Sequence, residues 1–168
     1  MLLSYVSLML MIASSTAAGN AHIAQLCPCA SAGTSWTIDS LDKPTLFKSS
    51  TNSTQALAIA PGPPSWGPEG SGCIVEDINP APGLSDYQQW AVNSPQQQVL
   101  WPKNSSMCMT VLPPNPATSA LVGIWFCGAS GFEAAQSFKT VASGTNYQLQ
   151  ISGADGSPLC LSLPTTTC

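Results

Sequence analysis

The feature that most restricts the fold of this chain is an order of four short apolar segments found in residues 107 to 157 and again in residues 55 to 104. The later copy reads Met107-Cys108-Met109-Thr110-Val111, Val122-Gly123-Ile124-Trp125-Phe126-Cys127, Gln136-Ser137-Phe138 and Tyr147-Gln148-Leu149-Gln150-Ile151. The earlier copy has Leu57-Ala58-Ile59, Cys73-Ile74-Val75, Gln88-Gln89-Trp90 and Val99-Leu100-Trp101 in the same order. A third copy is divided between the chain ends. Leu159-Cys160-Leu161-Ser162-Leu163 supplies its first segment, and Ile23 to Cys29, Trp36 and Leu46-Phe47 supply the other three. Units of this kind bury their apolar faces only against one another, so the ends are expected to meet and close a ring.

The segments are short, alternate or are β-branched, and stop at Gly, Pro, Asn or Ser, which is strand patterning; no sustained helical period follows residue 18. Twelve strands are expected, at 23–27, 36–38, 45–48, 56–59, 73–76, 88–92, 97–101, 107–111, 122–127, 137–141, 147–151 and 159–163. The fold class is all-β.

Leu2 to Ala13 is an apolar run followed by Ser14, Ser15, Thr16, Ala17 and Ala18, the form of a secretory signal, with cleavage expected after Ala18. The run is too short to span a bilayer, which needs roughly 20 residues. A domain at 19–168 remains, with no membrane span after cleavage. Asn52-Ser53-Thr54 and Asn104-Ser105-Ser106 are glycosylation acceptor sequences, and all seven cysteines follow the signal. A secreted, disulfide-bonded glycoprotein is expected.

Charged residues make up only 7% of the chain, against about 25% in ordinary domains. The surface must therefore be wetted by hydroxyls and amides. There is no arginine, and Lys43, Lys48, Lys103 and Lys139 are scattered. Nucleic acid is excluded as a partner for want of a basic patch. The eight acids behind the net charge of -4 are dispersed and form no metal cluster. The one histidine, His22, stands just past the cleavage point, which excludes a His-based triad or metal site. Glu76 and Asp77 are strand neighbours that point to opposite faces, a poor geometry for paired-carboxylate glycoside cleavage. No enzyme and no cofactor are expected.

The Cys-Leu opening segment, the Cys closing the second segment and the Gln-x-Trp of the third resemble the ricin B-type (R-type) lectin domain, over about residues 22 to 168. The resemblance implies a β-trefoil of three four-stranded repeats, here with one repeat split between the ends. The chain starts between the first and second strands of a repeat, a departure from the usual arrangement that a fragment of a longer protein would also show. The resemblance also implies a Cys108–Cys127 bridge and, by the same hairpin in the split repeat, Cys29–Cys160. Cys27, Cys73 and Cys168 cannot all pair within one molecule. Cys27 with Cys168 is the expected third bridge, because both belong to one hairpin, and Cys73 is then a buried thiol.

In the family, a sugar pocket is built from an Asp two residues after the first Cys, an aromatic two before the second Cys, an Asn and the Gln. Trp125 matches the aromatic and Gln136 the Gln, but Thr110 stands for the Asp and Ala135 for the Asn. The Asp position is Ala58 and Ser162 in the other units, and Cys27 replaces the aromatic in the split one. Thr110, Trp125 and Gln136 are thus the candidate carbohydrate-binding residues, in altered pockets. Two plainer readings stand beside that one: Trp125 covers the disulfide, and the Gln-x-aromatic segments are core elements. Asp155-Gly156 reads as a turn, and Trp66 sits in a proline-rich loop. The expected function is binding of a glycan or glycoprotein. The alternatives are an interaction protein such as a protease inhibitor, acting through a loop, or an accessory piece of a larger glycosidase.

Overall fold

The computed structural model describes residues 23–60, 71–80 and 85–168. Residues 1–18, expected to form a signal segment, and His22 and Trp66 lie outside the described residues. The chain is all-β, with antiparallel pairing throughout: β1 (Gln25–Pro28), β2 (Trp36–Ile38), β3 (Thr45–Ser49), β4 (Gln55–Ile59), β5 (Cys73–Asp77), β6 (Gln89–Asn93), β7 (Gln98–Trp101), β8 (Asn104–Leu112), β9 (Leu121–Phe126), β10 (Lys139–Ser143), β11 (Asn146–Ser152) and β12 (Pro158–Ser162). Each of the twelve overlaps a segment expected from alternation. β6 and β10 begin later than expected, because Gln88 and Gln136 close short 3-10 turns, Ser85–Gln88 and Ala134–Gln136, before the strands start.

The pairings recur. β4 lies on β5, β8 on β9 and β12 on β1. β6 lies on β7, β10 on β11 and β2 on β3. Each unit then hands on to the next through β3 with β4, β7 with β8 and β11 with β12. The strands that come second in each unit meet one another, through Gln25↔Leu121, Ile23↔Ile74 and Gly72↔Gly123. That convergence leaves no room at Gly123, where a Cβ would run into the Ser71 carbonyl and Leu112.

The core fills from the third strands. Trp36, Trp90 and Phe138 enter it in turn and are almost wholly buried. An indole N–H taken from water needs a partner. Trp90 Nε1 donates to the Leu57 carbonyl at 3.0 Å and Trp36 Nε1 to the Leu161 carbonyl at 3.1 Å. Leu57 and Leu161 occupy matching positions in β4 and β12, and Phe138, with no N–H, needs no such bond.

Three disulfides tie the strands: Cys108–Cys127, Cys29–Cys160 and Cys27–Cys168. The last two join the ends of the described chain across β1 and β12, where Cys27 pairs with Cys160 in register. Cys73 is free and buried. Loss of solvation pushes its thiol well above the ordinary range and keeps it in the unreactive protonated form.

Candidate functional site

The candidate residues Thr110, Trp125 and Gln136 come together. Register places Thr110 opposite Gly123 and Cys108 opposite Trp125, so Thr110 and Trp125 share one face of the β8–β9 hairpin. The chain leaving β9 then folds back over that face. Phe132 stacks on Trp125 with centroids 5.7 Å apart and an interplanar angle of 14°, and Leu112 packs beside them. Trp125 is left 8% exposed and Thr110 not at all.

Gln136 fastens the cover. Its Nε2 donates to the Phe126 carbonyl at 2.8 Å and to Thr110 Oγ1 at 3.1 Å, and its Oε1 accepts from the Gly128 N–H at 2.9 Å. Thr110 Oγ1 in turn donates to the Cys108 carbonyl at 2.8 Å. Both donors of the amide are used inside the protein, so the polar groups of Thr110 and Gln136 face each other rather than a ligand.

The preceding unit builds the same clamp. Gln88 Nε2 donates to the Asp77 carbonyl at 2.9 Å and its Oε1 accepts from the Asn79 N–H at 2.9 Å. By register, Asp77 matches Phe126 and Glu76 matches Trp125. The second donor bond of Gln88 goes to Glu76 Oε1 at 3.1 Å.

Phe126 departs from its strand pattern. Alternation groups it with the fully buried Ile124, yet its ring is 46% exposed, the largest apolar side chain left open among the described residues. β9 has run past the edge of the core at that point. The ring meets Trp125 edge-on, with centroids 6.1 Å apart at 76°. The exposed Asn104, Ser105 and Ser106 lie on the adjoining strand, where the Ser106 carbonyl accepts from the Cys127 N–H at 2.8 Å.

The two acceptor asparagines are also exposed. Asn52 Oδ1 accepts from the Thr54 N–H and hydroxyl, and Asn104 Oδ1 from those of Ser106. Asp155 Oδ1 does the same with Ser157, which holds its carboxyl below the usual carboxylate range. These are the three turns that lead from the last strand of one unit to the first of the next. The Asn-x-Ser/Thr pattern therefore has a structural use at both sites, one that the third turn fulfils with Asp.

Among the described residues, no three His, Cys, Asp or Glu side chains lie close enough to hold a metal ion, and no helix is long and apolar enough to cross a membrane. Comparison of the chain with protein-family models, with curated proteins and with solved structures finds no match.

Proposed function

We propose that this chain is a secreted carbohydrate-binding module, a β-trefoil of ricin B-type lectin kind with altered sugar sites, and that it does not catalyse a reaction. The trefoil reading is supported by the threefold recurrence of strand pairings, with the third copy completed across the chain ends. The three disulfides are compatible with an extracellular location, and Asn52 and Asn104 are exposed, as glycan acceptors must be.

The observation that carries the binding reading is the exposed ring of Phe126, standing edge-on to Trp125, with the exposed Ser105 on the same face of the adjoining strand. A sugar offers a C–H face to an aromatic ring and hydroxyls that require aimed polar partners. Phe126 presents the ring and Ser105 a hydroxyl on the same face. The contact ring is thus displaced by one residue from the family position, because Phe132 has taken the face of Trp125.

A glycan array of the secreted protein, repeated with Phe126→Ala and Trp125→Ala, tests this. Binding of at least one glycan is expected, with a loss of about tenfold or more on Phe126→Ala, the scale of a lost aromatic contact of roughly 1.5 kcal/mol. Trp125→Ala should act more weakly, through the support it gives Phe126. No bound glycan, or binding indifferent to Phe126→Ala in a variant with an unchanged near-UV spectrum, overturns the reading.

A further inference from the structure

The junctions between units are not alike. The last strand of one unit bridges the third strand of the next in two places: β3 meets β6 at Thr45↔Trp90 and Leu46↔Gln89, and β11 meets β2 at Tyr147↔Trp36. The remaining junction, between β7 and β10, has no ladder bridge among the described residues. A side-chain bond spans it instead, Ser137 Oγ donating to Gln97 Oε1 at 3.1 Å. Gln97 reaches that position in the left-handed conformation, with φ at 52°. For a residue with a Cβ this costs about 1 kcal/mol or more and survives where the surroundings enforce it.

The unbridged junction opens into a groove of about 410 Å³, inside the range that holds small ligands. Gln97, Ser137, Lys139, Gln150 and Ser152 line it, with Pro158 on its apolar side. No carboxylate lines it. Glu133 and Asp155, the acids nearest in sequence to its walls, are held within their own turns by the Gly131 N–H and by Ser157.

Lys139 is the cation of the groove. Lys48 and Lys103 are neutralised by Asp39 and Asp86, at 2.8 and 3.0 Å. Lys139, exposed at the start of β10, and Lys43 have no carboxylate partner among the described residues, and of the two only Lys139 lines the groove. Gln150 spends its amide nitrogen on Gln148 Oε1 at 3.2 Å, which leaves its own carbonyl oxygen as an acceptor. Gln97 is the converse: its oxygen is engaged by Ser137, and its amide nitrogen remains as a donor. A cation, a donor, an acceptor and the Ser152 hydroxyl therefore converge on one groove that lacks any ring to stack upon.

We propose that this groove is a second ligand site, for a hydroxylated ring that carries a carboxylate. Lys139 meets the carboxylate, while Gln97, Gln150 and Ser152 meet hydroxyls along the ring edge. The site is separate from Phe126 and does not depend on that ring binding anything.

Titration calorimetry of the secreted protein with methyl glucuronide and methyl glucoside tests the proposal, since the two probes differ only at C6, where one has a carboxylate and the other a hydroxymethyl group. The glucuronide is expected to bind about tenfold more tightly, the scale of one charge-assisted hydrogen bond. Lys139→Gln should abolish that preference, while Phe126→Ala should leave it intact. Lys139 is exposed, and near-UV spectra check that the variant keeps its fold. Absence of glucuronide binding, equal binding of the two probes, a preference that survives Lys139→Gln, or one lost on Phe126→Ala overturns the site. Failure of the Phe126 reading on the glycan array leaves these expectations unchanged.

Discussion

The second and third units, residues 55–104 and 107–157, share a backbone and differ in nearly everything mounted on it. In both, a glutamine before the third strand clamps the chain that leaves the second strand, through one backbone carbonyl and one backbone N–H. In both, the residue that closes the hairpin is fixed by its N–H: Ile78 to the Thr54 carbonyl and Cys127 to the Ser106 carbonyl, each at 2.8 Å. Yet the third unit bridges this hairpin with Cys108–Cys127, where the second has Ala56 and Ile78. Trp125 and Thr110 in one unit answer to Glu76 and Ala58 in the other. The clamp therefore belongs to the fold, and the variable positions around it set what each unit presents to solvent.

The largest expected effect separates the two core aromatics. Trp90→Ala and Phe138→Ala each empty a fully buried site, at about 3 to 5 kcal/mol. Trp90→Ala should cost roughly a further 1 kcal/mol, because it also strands the Leu57 carbonyl. Urea unfolding of both variants decides it, and a greater loss at Phe138 breaks the assignment of the indole bond as a fold element. Next comes the bridge found in only one of the two units. Replacing Cys108 and Cys127 together by Ala opens a separation of 19 residues, worth about 3 kcal/mol in the chain-entropy account. Replacing Cys27 and Cys168 should cost less, since Cys29–Cys160 still closes nearly the same loop. Melting temperatures of the two double variants test that order.

The clamp itself gives a sharper test. Gln88→Ala and Gln136→Ala should each destabilise by about 1 to 3 kcal/mol, the scale of buried groups left without partners, and by similar amounts. A marked inequality in denaturant midpoints would mean that the Thr110 and Glu76 contacts matter more than the shared backbone bonds. The smallest effect concerns the turns. Asp155→Asn keeps the Oδ1 acceptor in Asp155-Gly156-Ser157 and should leave the denaturant midpoint almost unchanged. In a glycosylating host it should also add one glycan to those at Asn52 and Asn104, read as a glycosidase-sensitive gel shift. A protein with no glycan at any of the three breaks the proposed use of these turns.

Much of the strand framework was legible, because period-two patterning and the Cys and Gln landmarks are local. The Cys29–Cys160 closure was legible too, since it follows once the divided unit is recognised. What escaped depends on contacts distant in sequence. Nothing around Trp125 says that Phe132 will lie on it, and the alternation that buries Ile124 says nothing of where the core ends beneath Phe126. The Asn-x-Ser/Thr pattern was legible as a modification signal, but its structural use emerges only when Asp155 is seen making the same bonds. The opening between β7 and β10 was not legible either, because it arises from a bridge that two junctions have and one lacks.

Two sulfur bridges, Cys27–Cys168 and Cys29–Cys160, make the polypeptide, in covalent terms, a loop. A protease that cuts once in the turns after β9 would produce two fragments by sequence and one molecule by mass. Nicked protein should migrate as a single species until it is reduced, and could retain any ligand while already broken.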